Sequence, residues 1–152
     1  MLGYFAKFLL VLMVFVTNAA LADPAILLNE KGVALSGYDP VAYFTEKKPV
    51  VGQEKFSAKH EDATYWFSSE AHRVLFVAEP SKYVPQYGGY CAYAASLGRK
   101  GFGNPLNFDV INNKLYINYN DGIQKRWSAD SAGFIQKADA KWEGAKGAKY
   151  EK

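Results

Sequence analysis

Hydrophobic positions open this chain as one unbroken run, residues 8–16, and then break into short stretches that alternate or recur at helical spacing. Lys7 precedes the run, Thr17-Asn18 ends it, and Ala20-Leu21-Ala22 sets small residues two apart just before Asp23. The apolar centre is shorter than the ~20 residues a bilayer-spanning helix needs. With its thin positive start and small-x-small site, the segment reads as a secretory signal. The expectation is cleavage after Ala22 and a soluble periplasmic product, residues 23–152, with no stable membrane insertion. No cysteine stands at the cleavage site, so no lipid anchor is expected there.

Beyond the leader, residues 56–59 and 64–67 are aromatic or alternating around His60-Glu-Asp62 and predict a β-hairpin. Residues 108–111 and 115–119 predict a second, around the turn signal Asn112-Asn113. Ser68-Ser69 marks a helix start, with Glu70 adding negative charge to the first turn and Ala71, Leu75 and Ala78 on one face. Glu79-Pro80 ends that helix, and residues 80–85 read as a connecting turn. Residues 87–97 predict another helix despite Gly88-Gly89, followed by a loop over 101–105. Asp121 caps a helix toward Ser128, and Asp130 or Ser131 caps one carrying Phe134, Ile135, Ala138 and Trp142 at helical spacing. Residues 41–44 read as a short helix or strand. Two hairpins, about four helices and no internal repeat make a small single α+β domain.

Composition narrows the chemistry. The formal charge is +3, and the leader takes one lysine and no acid with it, leaving +2. Lys137, Lys141, Lys146, Lys149 and Lys152 are interleaved with Asp139, Glu143 and Glu151, a solvated face rather than a nucleic-acid stripe. Aromatic residues make up 16% of the chain, which suits a core built without disulfides. Both methionines, Met1 and Met13, fall in the leader. What is left, His60, His72 and Cys91, excludes a blue-copper site with axial Met, a zinc ribbon and covalent haem.

Cys91 is the only cysteine and sits in Tyr87-Gly-Gly-Tyr90-Cys91-Ala-Tyr93-Ala. In an oxidising compartment it is buried and inert, paired with another molecule, or used as a thiolate ligand or reactive group. Ala92, Ala94 and Ala95 favour burial in a narrow aromatic pocket. A position near a helix start would also lend it thiolate character. Tyr87, Tyr90 and Tyr93 at i, i+3 and i+6 fall near one helical face, as core or as the wall of a ligand pocket. His72, in a first helical turn, is either a hydrogen-bonded histidine or a metal ligand. Asp39 is a turn residue before Pro40, a hard ligand, or a carboxylate orienting His72. His60 reads as solvent-exposed at a hairpin tip.

Three segments together resemble the YHS domain family in its longer exported form, over most of residues 23–152. They are Gly37-Tyr-Asp-Pro-Val-Ala-Tyr-Phe44, Tyr65-Trp-Phe-Ser-Ser-Glu-Ala-His72 followed by Phe76 and Glu79-Pro-Ser-Lys-Tyr83, and Tyr87-Gly-Gly-Tyr-Cys-Ala92. The resemblance implies a YHS-like core and a link to metals, since the family is related to small treble-clef-like modules and is appended to copper-transporting ATPases. Compact members carry Asp-Pro-Val-Cys and Phe-Cys-Ser-x-x-Cys, where this chain has Ala42, Ser68 and His72. A multi-thiolate site is therefore not inherited. The metal expectation rests on Cys91 and His72, with Asp39, a tyrosine hydroxyl or water completing an open site.

Two functions follow as expectations. One is periplasmic binding or sensing of copper or zinc through Cys91, His72 and Asp39, with the sulfur and an imidazole nitrogen within roughly 4 Å of each other. The alternative is a metal-free domain that takes a small molecule or protein partner in an aromatic pocket at Tyr87, Tyr90 and Tyr93. An enzyme is the least favoured reading: there is no Ser/His/Asp spacing, nucleophile elbow or resolving cysteine, and two histidines leave few acid–base options.

Overall fold

Alternation of apolar and polar residues builds the first predicted hairpin, a buried run on one strand and an Asn-Asn turn build the second, and each gathers its own helices. The computed structural model describes residues 23–151, and the expected leader and its cleavage point lie outside them. A short helix α1 (Ala42–Thr45) precedes the first hairpin, in which β1 (Gln53–His60) pairs antiparallel with β2 (Ala63–Phe67). Along β2, Ala63, Tyr65 and Phe67 are buried while Thr64 and Trp66 are half-buried, the two-residue period of a sheet with one face on the core. Helices α2 (Glu70–Ala78) and α3 (Pro80–Tyr83) follow it. Phe76 of α2 lies against Tyr65, Phe67 and Tyr83 with ring centroids 4.9, 5.0 and 6.5 Å away.

In the second half, α4 (Ala92–Ser96) and β3 (Lys100–Gly101) lead into β4 (Asn104–Ile111), which pairs antiparallel with β5 (Lys114–Asn118). Asn112 and Asn113 both have positive φ, 51° and 58°, the conformation of the two-residue turn their sequence signals. Then come α5 (Asp121–Ala129), α6 (Ser131–Ala145) and β6 (Tyr150–Glu151), which pairs parallel with β3. The caps are Asn120 and Asp130, whose side chains accept the N–H groups of Ile123 and Gly133. Tyr87, Ala92, Ala95, Tyr116, Trp127 and Ala138 form this half's core. A third cluster, Leu35, Tyr43, Leu115 and Ile117, joins the halves. Within it the Tyr43 hydroxyl donates to the Pro105 carbonyl at 2.9 Å.

The domain is α+β, with six α-helices among the described residues instead of about four; the short α1 and α3 make the difference. No described helix is long and apolar enough to cross a membrane. Several local expectations change. Asn120, not Asp121, caps α5, with Asp121 as the helix's first residue, and the expected connecting turn at 80–85 holds the short helix α3. Helix α2 turns Ser69, His72 and Phe76 inward, so Ala71, Leu75 and Ala78 point outward and Leu75 is 44% exposed. Residues 87–97 are not one helix: positive φ at Tyr87, Gly88 and Gly89 closes a 3-10 turn, Gln86–Gly89, before α4 starts. A Cβ on Gly88 would stand 2.0 Å from the Ala25 carbonyl oxygen, so the passing N-terminal segment requires the glycine.

Candidate functional site

Asp39 opens the turn into α1 and folds back on it. Its Oδ1 accepts the Val41 N–H at 2.9 Å and the Ala42 N–H at 3.4 Å. Its Oδ2 accepts the Ser68 N–H at 2.8 Å, the Ser68 hydroxyl at 2.6 Å and His72 Nδ1 at 2.6 Å. The residue is fully buried. A carboxylate only accepts, so the Nδ1 position carries the proton of this bond. The ring is thereby fixed, and its other nitrogen, Nε2, stands 3.4 Å from Oγ1 of the exposed Thr45. Of the roles open to Asp39, the structure shows both the turn role, through Oδ1, and the orienting one, through Oδ2. Thr45 belongs to this cluster without having been singled out in the sequence; Ser68 was noted there only as part of a helix start and as standing where the resembled family's compact members carry a cysteine.

Cys91 lies in the other half, 3% exposed at the start of α4. Its N–H donates to the Gly101 carbonyl at 2.9 Å, and its thiol to Asn118 Oδ1 at 3.7 Å. Burial pushes the thiol up from its ordinary value, against the opposing pull of the Ala94, Tyr119 and Tyr93 N–H groups. Asn118 is also buried, and its amide is oriented from both sides. Oδ1 accepts the Tyr93 N–H at 3.1 Å, and Nδ2 donates to Gln124 Oε1, whose own amide reaches Asp109 Oδ2, both at 3.0 Å.

Beside Cys91 opens a cleft of about 320 Å³ walled by Tyr93, Leu97, Phe102, Tyr119 and Ile123. Gly101 forms part of its edge, where a Cβ would stand 3.0 Å from the Ala94 Cβ. Lys100 also borders it, but its ammonium is engaged by the carbonyls of Asp23, Lys146 and Ala148 at 2.9, 2.8 and 3.0 Å and lies 4.9 Å from the Tyr90 ring centroid. Burial lowers the pKa of that ammonium.

Of the three tyrosines expected around a pocket, only Tyr93 lines this cleft. The break at residues 87–89 aims the others elsewhere. The Tyr87 hydroxyl donates to Asp139 Oδ1 and the Tyr90 hydroxyl to the Pro24 carbonyl, each at 2.8 Å. His60 is half-buried, its ring centroid 6.0 Å from that of Phe76 and its Nε2 4.0 Å from Glu61.

The structure brings Asp39 and His72 together, and Cys91 does not join them. The side-chain partners of the His72 ring are Asp39, Ser68 and Thr45, whereas the Cys91 thiol meets the side chain of Asn118. Among the described residues no three of His, Cys, Asp and Glu are grouped so as to hold a metal ion. The expected donors thus do not fit a shared copper or zinc ion. In comparisons with known proteins, no family model, no curated protein and no solved structure gives a significant match.

Proposed function

We propose that this chain is an exported, YHS-like binding domain that takes a small, largely apolar molecule into the cleft beside Cys91. The observation that carries the reading is the grouping of apolar side chains around one concavity. Leu97, Phe102 and Tyr119 are 44%, 37% and 51% exposed, and all three border the same hollow. Large apolar side chains left in water around a cavity of a few hundred Å³ are the usual surroundings of a ligand. Tyr93 and Tyr119 add phenol hydroxyls that can orient a polar end of the guest. The thiol sits where a guest would cover it.

The test is titration of the protein with anilinonaphthalene sulfonate while Cys91 is modified by a disulfide-exchange reagent. Saturable binding at one site should slow modification in step with occupancy. Leu97→Asp, at an exposed position, should weaken binding by about tenfold, the effect of roughly 1.4 kcal/mol. Binding that does not saturate, or that Leu97→Asp leaves untouched, would reject the cleft as the ligand seat.

A further inference from the structure

The surroundings of His72 carry an inference that does not depend on the cleft. Thr45 Oγ1, the His72 imidazole and Asp39 Oδ2 stand in a row, with 3.4 Å on the Nε2 side and 2.6 Å on the Nδ1 side. We propose that Thr45 is an acylatable nucleophile with His72 as its general base and Asp39 as the positioning residue, reacting with activated carboxylic esters of small acyl groups.

A hydroxyl is a weak nucleophile until a neighbouring base takes its proton, and that base works best when a third group fixes its other nitrogen. Asp39 meets the third requirement. It is buried, and the Val41, Ala42 and Ser68 donors hold it in place, so the imidazole is aimed by a carboxylate that cannot swing away. Ser68 is the nearer serine but not the candidate, because its hydroxyl is committed to Asp39 Oδ2 at 2.6 Å. Thr45 is exposed at the end of α1, and its hydroxyl also lies 3.2 Å from the Val41 carbonyl. One hydroxyl proton chooses between that carbonyl and Nε2 by rotating about the Cβ–Oγ1 bond. A separation of 3.4 Å suits a resting site, since nucleophile–base contacts tighten when substrate arrives.

In the step proposed, Thr45 Oγ1 bonds to the ester carbonyl carbon and its proton passes to His72 Nε2. The bond from that carbon to the leaving oxygen breaks, and the phenolate departs with the electron pair. The products are acyl-Thr45 and an imidazolium that releases its proton to solvent. A weakly basic phenolate leaves without being protonated, so the step needs no acid beyond His72.

The experiment is incubation of the protein with p-nitrophenyl acetate, followed by peptide mass spectrometry to locate the acetyl group. Acetyl-Thr45 is expected, forming in step with p-nitrophenolate release. His72→Gln should slow its formation at least about 100-fold, the lower range for loss of a general base. Thr45→Ser should keep an adduct at the same position and Thr45→Val should abolish it, with circular dichroism unchanged in both. Acetyl found only on lysines, Cys91 or His72, or Thr45 labelling at an equal rate in His72→Gln, would overturn the proposal.

Discussion

Ser68 gives both its backbone N–H and its hydroxyl to a single oxygen of Asp39, at 2.8 and 2.6 Å, tying the end of β2 to the turn before α1 across 29 residues. Asp39→Asn places an NH₂ group against some of these donors and leaves buried hydrogens unpaired. We expect a loss on the order of 3 kcal/mol. Ser68→Ala removes one hydroxyl bond and should cost about 1–2 kcal/mol. Urea unfolding reads both as a fall in midpoint at constant slope. Equal costs for the two variants would mean that Asp39 contributes only its bond to the Ser68 hydroxyl.

Helix α2 offers a sharp contrast between neighbours. Phe76 is 1% exposed inside a cluster of rings, whereas Leu75 is 44% exposed. Phe76→Ala should cost about 3–5 kcal/mol. Leu75→Ala should stay within about 0.5 kcal/mol. Thermal melts of the two variants decide the matter, and a large cost at Leu75 would mean that the outward face is covered in solution.

Cys91 should react slowly with a thiol reagent in the folded protein and fast in denaturant. Because burial raises its pKa, the folded-state rate should climb only at pH above the usual thiol range, where the unfolded chain is already largely thiolate. Stopped-flow modification across pH tests this. A folded-state rate that levels off below about pH 8.5, the ordinary thiol value, would contradict it.

Alkaline pH should destabilise the fold. Burial pushes Tyr43, Tyr65 and Tyr87 above the tyrosine range, and Tyr90 up to about 12. Their unfolded values lie near ~10, so as pH rises the unfolded chain loses these protons first. Stability is therefore fully present below about pH 10 and falls as pH climbs toward the folded values. Melting temperatures should drop over that interval, with tyrosinate absorbance from the buried rings appearing together with unfolding. Ionisation of all tyrosines near pH 10 without loss of structure would contradict this.

The hairpins were legible because their cues are local: alternation on β2, and two asparagines that tolerate positive φ between β4 and β5. The caps at Ser69 and Asp130 were legible for the same reason, as was a role for Asp39 in orienting His72. What escaped depends on distant partners. The spacing of Tyr87, Tyr90 and Tyr93 suggests a helical face, but the Ala25 carbonyl passing over Gly88 imposes a turn there. Apolar residues at helical spacing fall on both sides of α2, so only the hairpin beneath Ser69, His72 and Phe76 decides which side is inside. Cys91 reads as buried from its alanine neighbours, yet its hydrogen-bond partner Asn118 comes from a strand 27 residues later.

Lys100 has a topological consequence. Its ammonium holds the carbonyl of Asp23 together with those of Lys146 and Ala148, and the Tyr150 N–H donates to the Asp23 carboxylate. The described chain is therefore almost a ring, with residues 23 and 150 side by side. A few linking residues would close it, and a new opening at Asn112-Asn113, an exposed turn tip, would leave the cores and the Lys100 bonds as they are. Domains with adjacent ends can be carried inside a surface loop of another protein, entered and left at one point. For this one, that point of entry would sit beside Lys100, on the border of the cleft beside Cys91.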